Sequence, residues 1–185
     1  NVMSAATLQG ISGLVAINSL FAMTGGIISA LLISKYDPGF IHNGALAGLV
    51  AICAGSDQVH PIGALVIGAV SGVIFVKGFT WEQEKLKIDD VLGVWPLHGI
   101  AGTWGGIACG IFGQTSLGGL GEVSFKAQVV GSLIAAVVAL SFGFAVYKVL
   151  DATIGIRLTK EDELRGSDLT IHKIESYPED ASSRF

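Results

Sequence analysis

The residue of this sequence with the clearest chemical potential is His98. No Asp, Glu, Lys or Arg occurs between Val91 and Gly121, so His98 lies within an uncharged run long enough to cross a membrane. An ionisable side chain in such a run is costly, and it is expected to have a partner or a function. A neutral imidazole offers one hydrogen-bond donor and one acceptor. The sequence therefore predicts a functional His98; the alternative is a structural histidine bonded to a carbonyl of a neighbouring helix.

Three glycines follow His98 at intervals of four residues. On a helix, Gly102, Gly106 and Gly110 form a stripe with His98. Small residues at this spacing are typical of closely packed membrane helices. A second interpretation is that the stripe thins the wall of a narrow lumen that His98 faces. At the level of sequence both interpretations stay open.

The composition indicates a membrane protein. Of the 185 residues, 51% are hydrophobic and 14% are charged, whereas a soluble domain has about 25% charged residues. Cys53 and Cys109 lie far apart in apolar runs without the spacing of metal ligands, so we expect two buried thiols, no metal and no cofactor. No basic cluster of the kind that binds nucleic acid is present, and we expect no nucleic-acid partner.

The apolar runs predict five membrane helices and a polar tail. The predicted spans cover about residues 5–34, 39–56, 61–77, 89–112 and 122–153, which together form a membrane part over residues 1–154. Asp89 and Asp90 suit the start of the fourth helix, where we expect Asp90 to act as an N-cap rather than a cation ligand. Residues 155–185 are predicted to form a tail. Because no Met precedes Asn1, we expect the chain to be a fragment of a longer protein.

The basic residues predict the orientation. They follow the first, third and fifth spans, whereas the opposite connections are nearly free of them, with Lys126 as the exception. Basic residues concentrate on the cytoplasmic side of a membrane. We therefore expect a multi-pass protein of the cell membrane, with Asn1 outside and the tail in the cytoplasm.

The segment from Asp89 to Gly106 resembles the penultimate span of the ammonium transporter/Rhesus family. It combines the Asp pair, His98-Gly99, Gly102 and Trp104-Gly105-Gly106. Further segments resemble the family in the same order along the chain: Asn1 with Ser4, residues 43–50, residues 63–68, residues 116–119, and the tail from Gly155. The resemblance implies an all-α membrane protein, namely the C-terminal five spans of an eleven-helix inverted-repeat transporter that assembles as a homotrimer in the lipid bilayer.

The resemblance also implies roles for individual residues. His98 matches the second of two hydrogen-bonded pore histidines, which take part in deprotonation or proton relay, and Ser4 matches a serine that recruits ammonium at the outer mouth. Asn43 and Leu46 fall where the family lines the inner end of the pore. Val2 and Met3 depart from the small residues that the family has before this serine.

The tail resembles a regulatory segment of the family. Arg157, Gly166 and Asp168 match its motif, and the resemblance implies allosteric control and contact with a PII-type signalling protein. His172-Lys173-Ile174-Glu175 departs from the usual His-Gly-Glu, which puts tail contacts into question.

These observations predict a transporter of ammonium or ammonia rather than an enzyme. One alternative is an ammonium sensor of the same fold. A remote alternative is a rhomboid-like intramembrane serine protease, because Gly10-Ile11-Ser12-Gly13 has the Gly-x-Ser-Gly form and His98 lies on a later Gly-rich span.

Overall fold

The computed structural model describes residues 11–166 and 168–173, and this part of the chain contains helices and no strand. The α-helices are α1 (Ser12–Ile33), α2 (Pro38–Ile52), α3 (Pro61–Trp81), α4 (Ala101–Phe112), α5 (Phe125–Thr153) and α6 (Lys160–Arg165). Three π-helical turns cover Glu82–Leu86, Trp95–Ile100 and Asp168–His172, and a 3-10 turn covers Thr115–Leu117. The described residues form two compact units, which are divided between Val138 and Ala139.

Within the described residues, three helices are long and apolar enough to cross a membrane: Ser12–Ile33, Pro61–Leu86 and Phe125–Thr153. The helix α2 is apolar but has only 15 residues. The third helix continues past residue 77, where the sequence analysis ended its span, because Phe79 packs in an aromatic cluster with Phe40 and Phe75.

The fourth helical segment begins at Trp95. The sequence analysis had its start at Asp89, six residues earlier, and this boundary is wrong. Gly93 adopts a left-handed conformation with φ +68°, which interrupts the chain before the helix. The π-turn Trp95–Ile100 then leads directly into α4. The aspartates consequently lie in an irregular connection between α3 and this helix.

The first unit has its core where α1, α2 and α3 meet. The backbone carbonyl of Ala22 on α1 lies against Gly48 of α2 and Gly68 of α3, and a Cβ atom added at either glycine would collide with it. Ala22, Ile52 and Ile67 are fully buried beside this point. Close backbone approach through small residues is the usual way in which membrane helices pack.

Polar side chains join the same helices. Asn18 of α1 is fully buried, and its Nδ2 donates hydrogen bonds to the carbonyls of Ser56 at 2.9 Å and Val59 at 2.8 Å. Ser71 donates to the carbonyl of Ala47 at 2.7 Å. Trp104 Nε1 donates to the carbonyl of Ile67 at 3.1 Å. These bonds connect α1 to the turn after α2, α3 to α2, and α4 to α3.

Two helices begin with the same local arrangement. Asp37 precedes Pro38 and accepts a hydrogen bond from the N–H of Phe40 at 3.2 Å. His60 precedes Pro61, and its Nδ1 accepts from the N–H of Ile62 at 3.2 Å. Proline is suited to the first helical position because the N–H that it lacks would have no partner there.

The second unit contains the end of α5 and the tail. Thr159 caps α6, since its Oγ1 accepts a hydrogen bond from the N–H of Asp162 at 3.2 Å and donates to the Asp162 carboxylate at 2.7 Å. Arg157 forms an ion pair with Glu163 at 3.6 Å, and its side chain is 82% exposed. Within the part of the chain that the structure describes, no residue of α5 is buried.

Candidate functional site

His98 lies in the π-turn Trp95–Ile100, which has one buried face and one exposed face. Pro96 and Leu97 are buried, and Leu97 is only 3% exposed, whereas His98 and Gly99 lie on the surface of this chain. Pro96 packs against Gly78 of α3, and a Cβ atom added at Gly78 would lie 2.9 Å from the Pro96 Cβ. Contact with α3 thus fixes the buried face and directs His98 away from the core.

The π-helical geometry sets the position of His98. The N–H of Ala101 points at the carbonyls of both Pro96 and His98, and proline in the first turn supplies no N–H of its own. Such turns are rare and occur frequently at functional sites. Among residues 11–166 and 168–173, no hydrogen bond of the His98 imidazole is found. The structural alternative, a bond to a carbonyl of a neighbouring helix, is therefore not observed within this part of the chain.

The glycine stripe after His98 is largely occupied by helix packing. A Cβ atom at Gly106 would collide with Ser132, and one at Gly110 would lie 3.0 Å from Phe125 Cα. Both contacts are with α5. Gly102 is more open, since its nearest neighbour is Val50 of α2 at 3.8 Å. Close packing therefore accounts for Gly106 and Gly110, and only the start of the stripe lies beside an open surface.

Asn43 and Leu46 lie on α2, which packs against the turn that carries His98. Leu46 is 40% exposed. Asn43 donates a hydrogen bond from Nδ2 to the carbonyl of Gly39 at 3.0 Å and lines a cleft of about 290 Å³ together with Asp37 and the aromatic cluster Phe40, Phe75 and Phe79. The structure thus brings α2 next to the His98 turn, although neither side chain forms a hydrogen bond with the imidazole within the described residues.

The π-turn Trp95–Ile100 and α4 together form the His98 helix. Asp90, five residues before Trp95, stabilises the start of this helix. Its carboxylate accepts a hydrogen bond from the N–H of Trp95 at 2.9 Å. Burial alone would raise the pKa of Asp90, but the backbone N–H groups of Trp95, Val94, Gly93 and Leu92 outweigh it and hold the pKa below its ordinary value. Asp90 therefore binds the free N–H groups of this helix start, although the N-cap position itself belongs to Val94.

Glu82 is a buried acid that the sequence analysis missed. It is 3% exposed, and its carboxyl group lies beside that of Asp90. A signal for its burial exists in the sequence, because Glu82 follows Phe75 by seven residues and so shares the buried face of α3. The signal is weak, because a glutamate at the end of an apolar run ordinarily faces water. No group of three or more metal-ligating side chains occurs among the described residues.

Comparison with known proteins identifies the family. The model of the Ammonium Transporter Family matches residues 1–177. The chain belongs to this family. The resemblance noted from the sequence motifs is thereby confirmed.

Individual relatives agree with this assignment. Ammonium transporter Amt2 of Methanocaldococcus jannaschii is 42% identical over 181 residues, which cover 97% of this chain and 43% of the relative. Ammonium transporter Amt1 of the same organism is 39% identical, over 90% of this chain and 42% of the relative. A solved structure described as a Sensor Amt Protein matches with a TM-score of 0.78 and 29% identity, over 91% of this chain and 43% of that chain.

The predicted fold class is confirmed by these matches, because the described helices superimpose on part of an Amt structure. The chain spans less than half the length of the curated relatives named above. These relatives are named as transporters, and their names describe no enzymatic activity.

The remaining predicted residues lie at the two ends of the chain. Ser4 lies outside the described residues. Arg157 forms the ion pair described above, and Gly166 ends α6 with φ +94°, a conformation that favours glycine. Asp168 begins the last π-turn. The functional roles of these residues remain predictions.

Proposed function

We propose that this chain forms part of a pathway for ammonium or ammonia across the cell membrane, with His98 on the wall of the pathway. The observation that carries this proposal is the exposure of His98 on an uncharged helix of a family member, while the adjacent Pro96 and Leu97 are buried. A histidine that the chain itself leaves uncovered is available to a pore or to another segment of the protein.

The physical chemistry of ammonium supports a histidine in this position. Moving an ammonium-sized ion into a medium of low dielectric constant costs on the order of 20 kcal/mol before relaxation. An apolar pathway therefore rejects simple cations unless the proton is removed or carried separately. A desolvated imidazole favours its neutral form, which can accept a proton and can also hydrogen-bond ammonia. Potassium has no proton to release, so deprotonation would select against it.

Transport by a full-length protein that carries this chain tests the proposal. We expect ammonium uptake above background, and we expect His98→Ala to lower the uptake rate without preventing membrane insertion. His42→Ala is the matched control, because His42 is also exposed but lies at the start of α2. Wild-type uptake in His98→Ala, or equal losses in the two variants, would remove His98 from the pathway.

The other predicted residues complete the proposed pathway. Ser4 would accept a hydrogen bond at the outer mouth, where ammonium sheds water, and Ser4→Leu should weaken the apparent affinity for ammonium. Asn43 and Leu46 would line the inner end, which agrees with the position of Asn43 in a cleft. The assembly would be a homotrimer in the lipid bilayer, with the tail in the cytoplasm.

The tail is proposed to regulate transport. Its residues Arg157, Gly166 and Asp168 would dock on the cytoplasmic face and respond to a PII-type signalling protein. Support comes from the ordered turn that Thr159, Arg157 and Glu163 build after α5, since a purely flexible linker would not require a capped helix. Deletion of residues 156–185 in the full-length protein should lower transport while leaving the amount of inserted protein unchanged.

Ammonium sensing is the second candidate function. It is favoured by the similarity to the Sensor Amt Protein, which extends over 91% of this chain. Transport is preferred because Amt2 and Amt1 of M. jannaschii have the higher identity and are named as transporters. Ammonium binding without measurable flux through the full-length protein would favour the sensor.

A further inference from the structure

Glu82 is placed where an ionised carboxylate is hard to accommodate. It is 3% exposed, and its Oε2 atom is buried with no hydrogen-bond partner among the described residues. A buried charge without compensating partners is strongly unfavourable, and a carboxyl group in this situation is more stable with a proton.

The charges around Glu82 further favour the protonated form of its carboxyl group. Among the described residues, Asp90 is the charged group that acts on Glu82. The other charged side chains at this end of α3 and in the following connection are all exposed: Lys77, Glu84, Lys85, Lys87 and Asp89. The adjoining turn Trp95–Ile100 contributes only His98, which is exposed as well. No buried cation of the described residues therefore neutralises the two carboxyl groups.

Asp90 is the member of the pair that carries the negative charge. Its carboxylate is surrounded by backbone N–H groups at the start of the His98 helix, and the bond from Trp95 measures 2.9 Å. Hydrogen bonds of this kind stabilise the ionised form. Glu82 Oε2 has no such donor among the described residues. Two carboxyl groups side by side do not readily ionise together.

We propose that Glu82 and Asp90 form a proton-binding site, in which a protonated Glu82 donates a hydrogen bond to the Asp90 carboxylate. The site lies at the junction of α3 and the His98 helix, and it is distinct from the imidazole. One bound proton would link the end of α3 to the N–H groups of the His98 helix through Asp90. The side chain of Gln83, which donates to the carbonyl of Asp90 at 3.2 Å, holds the same connection in place.

This arrangement makes the connection sensitive to pH. The closed state, in which the carboxyl groups are paired, binds one proton more than a state in which they are separated. A rise in pH therefore favours separation, by at most about tenfold per pH unit in the range where only the closed state keeps its proton. The N–H of Trp95 would lose protection as the pair opens.

Infrared spectroscopy of the full-length protein tests the protonated state directly. At neutral pH we expect a stretching band of a protonated carboxylic acid that disappears in Glu82→Gln. The matched control is Glu84→Gln, which changes an exposed glutamate on the same turn and should keep the band. A spectrum with only ionised carboxylates, or a band that survives Glu82→Gln, would overturn the proposal.

Hydrogen exchange gives a second measurement that does not depend on transport. In the wild type, exchange of the Trp95 amide, corrected for its intrinsic pH dependence, should rise with pH. In Glu82→Gln it should stay level, because a neutral amide keeps donating to Asp90 at every pH. An equal rise in both proteins would contradict the site. Since neither readout requires ammonium flux, failure here is distinguishable from failure of the proposed transport function.

Discussion

Replacing Asn18 by leucine removes the two hydrogen bonds that connect α1 to the turn after α2. Leucine has a similar size but no donor. The carbonyls of Ser56 and Val59, which accept from Asn18 at 2.9 and 2.8 Å, belong to buried residues and would remain buried without this partner. The substitution therefore tests whether these two bonds hold the helices together.

The size of the effect follows from the number and burial of the bonds. Interhelical hydrogen bonds in membrane proteins contribute about 0.6 kcal/mol on average and up to about 1.7 kcal/mol each. A buried acceptor left without a partner costs about 1–3 kcal/mol in soluble proteins. Asn18 Oδ1 is itself buried without a hydrogen-bond partner among the described residues, so its removal recovers part of the lost stability. We expect a net destabilisation of about 1–3 kcal/mol.

The measurement is the unfolding equilibrium of the full-length protein in mixed micelles of increasing denaturing detergent. Thr24→Val is the control, because Thr24 is exposed on the same helix. Among the described residues, its hydroxyl donates only to the carbonyl of Leu20, one turn earlier. This control should change the free energy of unfolding by less than about 0.5 kcal/mol. If Asn18→Leu unfolds at the same detergent fraction as the control, the interhelical role assigned to Asn18 is wrong.

Three further predictions concern helix packing, ammonium flux through the isolated chain, and the tail. Gly68→Ala should destabilise the full-length protein by about 1–3 kcal/mol, because its methyl group would collide with the Ala22 carbonyl. Gly13→Ala should not, because no atom of the described residues lies within 4 Å of the added methyl group. Equal stabilities of the two variants by thermal unfolding would refute the close contact. Liposomes that contain only residues 1–185 should show no ammonium flux above background, because His98 would face lipid; robust flux would contradict this. Arg157→Ala should change the free energy of unfolding by less than about 1 kcal/mol, since its ion pair is exposed, yet it should lower transport; unchanged transport would remove its regulatory role.

The uncharged runs of the sequence were sufficient to predict a helical membrane protein and the isolation of His98. The run from Val91 to Gly121 contains no charge, and the stripe of Gly106 and Gly110 indicates a neighbouring helix, which the structure identifies as α5. Periodicity is local, so it is visible without knowledge of the fold.

Tertiary contacts could not be predicted in the same way. The start of the His98 helix depends on the positive φ of Gly93. Asp90 returns toward the end of α3, where Gln83 donates to its carbonyl at 3.2 Å and Glu82 is buried. Asn18 reaches carbonyls 38 and 41 residues later. Each of these features is set by how separate segments meet, and a single sequence does not contain that information in its periodicity.

We propose that His98 lies on the ammonium pathway and contributes to selection against other cations. The most direct test is the ratio of ammonium to potassium transport by the full-length protein in proteoliposomes, compared between the wild type, His98→Ala and His42→Ala. We predict that the ratio falls in His98→Ala and stays at its wild-type value in His42→Ala. A wild-type ratio and a wild-type ammonium rate in His98→Ala would contradict it.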